Sequence, residues 1–149
     1  MALEQVDWPP EDPRWFWMLW RPVPGHKDYN AQQQAECCEC FRLILARCGP
    51  HHGATDYGQT MLHEAVSRDH SVGVQLATIL LDAGARLDVR DDLLESTSLG
   101  WACRWGRVEM VKLFLARGAD FVEADADVWA TPRAWAEKMH RPEVVKLLL

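Results

Sequence analysis

The side chains best equipped for chemistry cluster early in the chain, where Cys37, Cys38, Cys40 and Cys48 are followed at once by His51 and His52. Thiolate and imidazole are ligands that zinc accepts, so the residue types are those of a zinc site. The spacing argues otherwise. Neighbouring Cys37 and Cys38 point about 100° apart on a helix and cannot easily serve one tetrahedral ion. No metal site is expected, and Cys40 is expected to be a small buried hydrophobe. Cys103 and His63 have the types of a nucleophile and its base, but both fall at core positions of first helices in neighbouring units. No glycine-rich phosphate loop, H-E-x-x-H or G-x-S-x-G is present. The expectation is a protein that is not an enzyme and has no cofactor site.

What remains is recognition chemistry. Trp101 and Trp105 are four apart, so on a helix they share a face, and Trp135 repeats Trp101 after 34 residues. Trp105 and Trp129, next to Arg104 and turn residues, are expected at the surface, where Trp and Arg together make interface hot spots. Trp101 and Trp135 fit either that surface or an interior between repeated units.

These residues must be positioned by helical hairpins. In the stretch Thr97 to Asp120, the hydroxyls of Thr97 and Ser98 offer a helix start. Leu99, Ala102 and Cys103 recur at helical spacing, and Gly106 breaks the helix. A second helix follows with an apolar face of Val108, Met110, Val111, Leu113, Phe114 and Leu115, ending at Gly118. Neither helix can bury its apolar face alone, so the unit needs copies beside it. The second helix recurs from Glu39, Gln75, Glu109 and Glu143, in steps of 36, 34 and 34 residues. First-helix starts recur at Thr60, Thr97 and Thr131, while Gly84-Ala85 and Gly118-Ala119 repeat the stop. The step from Thr60 to Gly84 is three residues longer than that from Thr97 to Gly118, which predicts a bulge near Asp69 to Gly73 in the loop between helices.

Thr60-Met61-Leu62-His63, Thr131-Pro132 and the Gly-Ala pairs resemble the ankyrin repeat family, whose units carry T-P-L-H-x-A at a period of about 33 residues. The resemblance covers residues 31–149. It implies an all-α ankyrin-type helical solenoid with β-turn fingers: a first repeat with only its second helix clear, two full repeats, and a last repeat ending at its second helix. Gly100 and Ala134 replace the motif histidine, a departure that bears on the inter-repeat hydrogen bonds which the histidine supplies in the family and not on the fold. Finger tips and first helices build the concave binding surface there. Carried over residue by residue, the partner-binding positions here are Tyr57, Gln59, Arg68, Leu93, Leu94, Arg104, Trp105, Val128, Trp129 and Lys138. Tip positions also include Asp56, Ser96 and Asp127.

Composition sets the partner class. With 149 residues, 48% hydrophobic and 26% charged, the chain can bury a useful core, and a net charge of −6 argues against nucleic acid. Asp88, Asp91, Asp92, Asp120, Glu123, Asp125 and Asp127 line the connectors and would steer a basic protein partner. No apolar run approaches a membrane span, no signal peptide is read, and five cysteines suit reduced thiols, so a cytoplasmic location is expected. Leu147 to Leu149, Leu93, Leu94, Phe121, Val122 and Val128 also allow the alternative of a homo-oligomer.

Residues 1–30 fall outside the repeat. They are rich in proline and carry Trp8, Trp15, Trp17 and Trp20. A capping segment packed on the first repeat is expected, because solenoid ends must be sealed; an exposed aromatic docking segment is the sharper reading.

Overall fold

The computed structural model describes residues 30–50, 55–68 and 70–149. The expected N-terminal cap, His51, His52 and Asp69 therefore lie outside the described residues. The helices run α1 Ala31–Cys48, α2 Met61–Ser67, α3 His70–Asp82, α4 Ser98–Trp105, α5 Val108–Ala116, α6 Pro132–Lys138 and α7 Pro142–Leu147. Helices α2 and α3, α4 and α5, and α6 and α7 form hairpins. First helices stack on first helices (α2, α4, α6) and second helices on second (α1, α3, α5, α7). The result is the expected all-helical solenoid, with no strand among the described residues.

Local chemistry sets each boundary. The Asn30 side chain accepts from the Gln33 backbone at 2.9 Å while the Gln33 side chain accepts from the Asn30 backbone at 2.9 Å, a reciprocal cap that starts α1. Thr97 and Thr131 accept from the backbones of Gly100 and Ala134 and start α4 and α6, the latter with Pro132 in its first turn. Helices α3 and α5 stop at Gly84 and Gly118, with φ of 91° and 85°. There the amides of Ala85 and Ala119 reach back to the carbonyls of Leu80 and Phe114. The first copy stops one residue later than the repeat spacing implies, at Gly49 with φ of 75°.

Leu80, Phe114 and Leu148 line up in one buried core with Phe41, Leu62, Leu99 and Val111. Two expectations fail. Cys40 is exposed, although Leu76, Met110 and Val144 hold the same slot buried. The Met110 methyl points back at Gly73 of the preceding second helix, so the slot is covered from the N-terminal side. Among the described residues no element lies before α1 to cover Cys40. Cys38 and Phe41 turn inward instead.

The three extra residues do not bulge a loop. They extend α3 at its start, so that it runs from His70 where α5, by the 34-residue step, would begin at Val74. That added turn brings Gly73 against α2: a Cβ at Gly73 would sit 2.5 Å from the Ala65 carbonyl oxygen. Gly73→Ala is therefore expected to destabilise the fold by about 1–2 kcal/mol, because overpacking against backbone outweighs the roughly 1 kcal/mol of helix propensity gained. A thermal melt that rises in this variant would refute the close approach.

Candidate functional site

The connectors form successive fingers. In the first, the Thr55 amide bonds the Gln59 carbonyl at 3.0 Å; in the second, the Asp91 amide bonds the Ser96 carbonyl at 3.1 Å. The Asp92 amide donates to the Tyr57 carbonyl at 2.8 Å, which sets the two tips side by side. In the third finger the Ala126 and Ala130 amides close tight turns on Glu123 and Asp127.

The second finger is organised by Asp91, 2% exposed. Its Oδ2 accepts from the amides of Leu93 and Leu94 at 3.2 and 3.0 Å. Its Oδ1 accepts from the amide of Ser96 and from the Trp101 indole, both at 3.1 Å. Asp91 is thus a structural anion, not the steering charge expected of it. Glu123 is likewise buried: it accepts from the Thr97 hydroxyl at 2.7 Å and lies 3.5 Å from the Arg90 guanidinium, which also holds Asp125 through two bonds. Burial raises the Glu123 pKa, while the bonds to Thr97 and Arg90 oppose the rise. Asp88 is bonded to Arg86. Asp92, Asp120 and Asp127 remain at the surface.

Between units the hydrogen bonds run through His63 and Ser96. His63 Nδ1 accepts from the Thr60 amide at 3.0 Å, which leaves Nε2–H to donate to the Ser96 carbonyl at 3.0 Å in the next unit. The motif histidine is absent at Gly100, yet its place is filled. Ser96 Oγ lies 2.8 Å from the Leu94 carbonyl and 3.1 Å from the Ala130 carbonyl, sharing its one proton, and accepts from the Trp135 indole at 2.7 Å. A Cβ at Gly100 would come within 3.0 Å of the Ser96 Cβ, so the small residue makes room for the substitute bond. The inter-repeat bonding that the missing histidine puts in question is present: a serine and a tryptophan supply it.

Burial lowers the His63 pKa below the ordinary 6.5 despite its bond to Ser96 and the nearby Asp91. The folded ring stays neutral where the unfolded one takes a proton, so this residue's stabilising contribution is complete above about 6.5 and shrinks as pH falls below it. The limiting slope is about 1.4 kcal/mol per pH unit. Stability of the wild type and of His63→Gln should converge on acidification from pH 7 to 5, measured by urea unfolding; a constant gap would contradict the assignment. Cys103 is fully buried, and desolvation with the nearby Glu123 pushes its thiol up to about 12, so it stays protonated at neutrality. With both His63 nitrogens occupied, the pair is used for structure.

The structure separates the remaining candidates. Tyr57, Leu93, Trp105, Val128 and Trp129 are exposed, Val128 by 89%. Gln59 and Leu94 are half-buried, Gln59 inside its own turn and Leu94 on Asp91. Ser96 is interior rather than a tip. Trp135 is core, 4% exposed, while Trp101 is half-buried over the edge of His63. Trp129 meets Trp135 edge to face at 6.0 Å. Arg104 is half-buried, with its guanidinium 4.8 Å from the Trp135 ring and Nη1 3.3 Å from Met139 Sδ, and exposed Lys138 covers the same ring at 5.1 Å. Arg68 is half-buried beside Glu64, and burial lowers its pKa. Sequence reasoning missed Asp91 and Ser96 as organisers; an aspartate two to five residues before three amides at a turn is the signal that could have found the first.

Among the described residues no group of His, Cys, Asp or Glu could hold a metal ion, and no helix is long and apolar enough to cross a membrane. The curated proteins contain no match to the chain. A family model described as ankyrin repeats (3 copies) matches residues 29–125, more than half of the sequence. Such repeats are generally protein–protein interaction modules. With stacked hairpins and a histidine that bonds from one unit to the next also in place, the chain belongs to the ankyrin repeat family.

Proposed function

We propose that the protein is a non-catalytic, cytoplasmic binding module that holds a protein partner along its finger tips and first helices. The observation that carries this reading is a run of exposed apolar and aromatic side chains, Tyr57, Leu93, Val128 and Trp129, on three successive fingers, with Trp105 on the first helix between. Aromatic groups on a rigid scaffold lose little entropy on binding, which favours a fixed contact surface. Asp92 and Asp127 beside these groups favour a basic partner at the finger side. The free thiols of Cys37, Cys38, Cys40 and Cys103 fit a reducing compartment.

Affinity capture from a lysate of the native cell tests the face. Tyr57→Ser, Leu93→Ser and Trp129→Ser combined are expected to reduce capture of the specific partner at least tenfold, as the loss of hot-spot residues does. The back-face control Lys112→Glu should leave it intact. Equal capture by both variants sinks the proposed face.

Self-association remains the second reading, favoured by the exposure of Phe121 and Val122 as well as Val128. The Leu147 to Leu149 run contributes less than its composition implies, since Leu148 is buried. Light scattering at high concentration decides: a strict monomer removes this reading.

A further inference from the structure

The helix-bend ends of the last two hairpins carry cations with no anion to match. Arg104 and Lys138 both place their charges over Trp135. Arg141, at the α6–α7 bend, aims Nε at the Arg104 carbonyl at 3.4 Å and lies against Gly106. Arg107, at the α4–α5 bend, has its Nε buried with no hydrogen bond. Among the described residues none of these four makes an ion pair, whereas Arg42, Arg86, Arg90, Arg117, Arg133, Lys112 and Lys146 each do. In a chain of net charge −6, unneutralised like charges brought together by the fold cost free energy unless a ligand compensates.

We infer that this cationic end of the first-helix face binds an acidic segment of a protein partner, its carboxylates bridging Arg104, Lys138 and Arg141. The guanidinium groups fit carboxylates in two-point fashion. A polyanionic nucleic acid is disfavoured by the acidic connectors on the finger side. The inference deepens the reading of a protein-binding face, and gives the partner opposite charges at its two edges: basic toward the fingers, acidic toward the bends.

Fluorescence anisotropy with a labelled octaglutamate peptide, at near-physiological salt, tests it on the full chain. The wild type is expected to bind octaglutamate and not octalysine at this site, and Lys138→Glu/Arg141→Glu to bind at least tenfold more weakly. Both residues are exposed; circular dichroism checks that the fold is kept, and the neutral pair Lys138→Gln/Arg141→Gln should fall between. The finger variant Tyr57→Ser/Leu93→Ser should retain octaglutamate, so failure of the fingers and failure of this site are distinguishable. Undiminished binding by the charge-reversed pair, or tighter binding of inorganic polyphosphate than of octaglutamate on the same residues, overturns the assignment.

Discussion

Asp91→Ala is expected to lower stability by about 3–5 kcal/mol, a large share of the 5–15 kcal/mol that holds a typical domain. One carboxylate accepts four N–H groups, three from the finger backbone and one from the Trp101 indole, all turned inward. Removing it leaves one buried and three half-buried donors without their acceptor, and an unmade buried bond costs more than a made one contributes. Asp91→Asn is expected to be nearly as damaging. Its single carbonyl can serve one pair of donors, but its amide then faces the other pair with protons of its own. Urea unfolding measures both; an asparagine variant within about 0.5 kcal/mol of the wild type would show that the carboxylate is not the organiser of the finger.

The second large effect is Phe114→Ala, expected to cost about 3–5 kcal/mol. Phe114 is fully buried on α5, which packs against both α3 and α7. A cavity there loosens two interfaces between units at once, and a stack has no other core to fall back on. Loss of a single cooperative transition, with the two ends melting apart, is the expected signature beside the shift in midpoint. A drop below about 1 kcal/mol would mean that neighbours close the gap, and that the units are less tightly matched than their burial implies.

The helical scaffold was readable because its signals are local and repeated. Thr97, Gly106 and Gly118 act within one turn of themselves, and the period of the apolar faces needs no tertiary knowledge. The exposed tips were readable for the same reason: Leu93, Val128 and Trp129 sit in turns, where a large apolar group has little to pack against. What escaped depends on neighbours. Cys40 has the spacing of a core residue, and among the described residues no preceding unit covers it. The extra residues before Val74 look like a loop insertion by count, but helix continues through them because Gly73 permits contact with α2. Arg104 reads as a surface charge and instead stacks on Trp135. Asp91 and Glu123 share a composition with Asp92 and Asp127, and only the fold decides which carboxylates face inward.

Ser96 offers its carbonyl backward to His63 and its hydroxyl forward to Ala130 and Trp135, so one connector residue hydrogen-bonds to the units on both sides of it, beside the packing of helix on helix. The connector therefore carries bonding that in a repeat with the motif histidine falls to the first helix. A foreign hairpin of equal length grafted in place of α4–α5 should seat correctly if Ser96 and Gly100 travel with it, and should misalign its downstream neighbour if a histidine is restored at Gly100 while Ser96 stays.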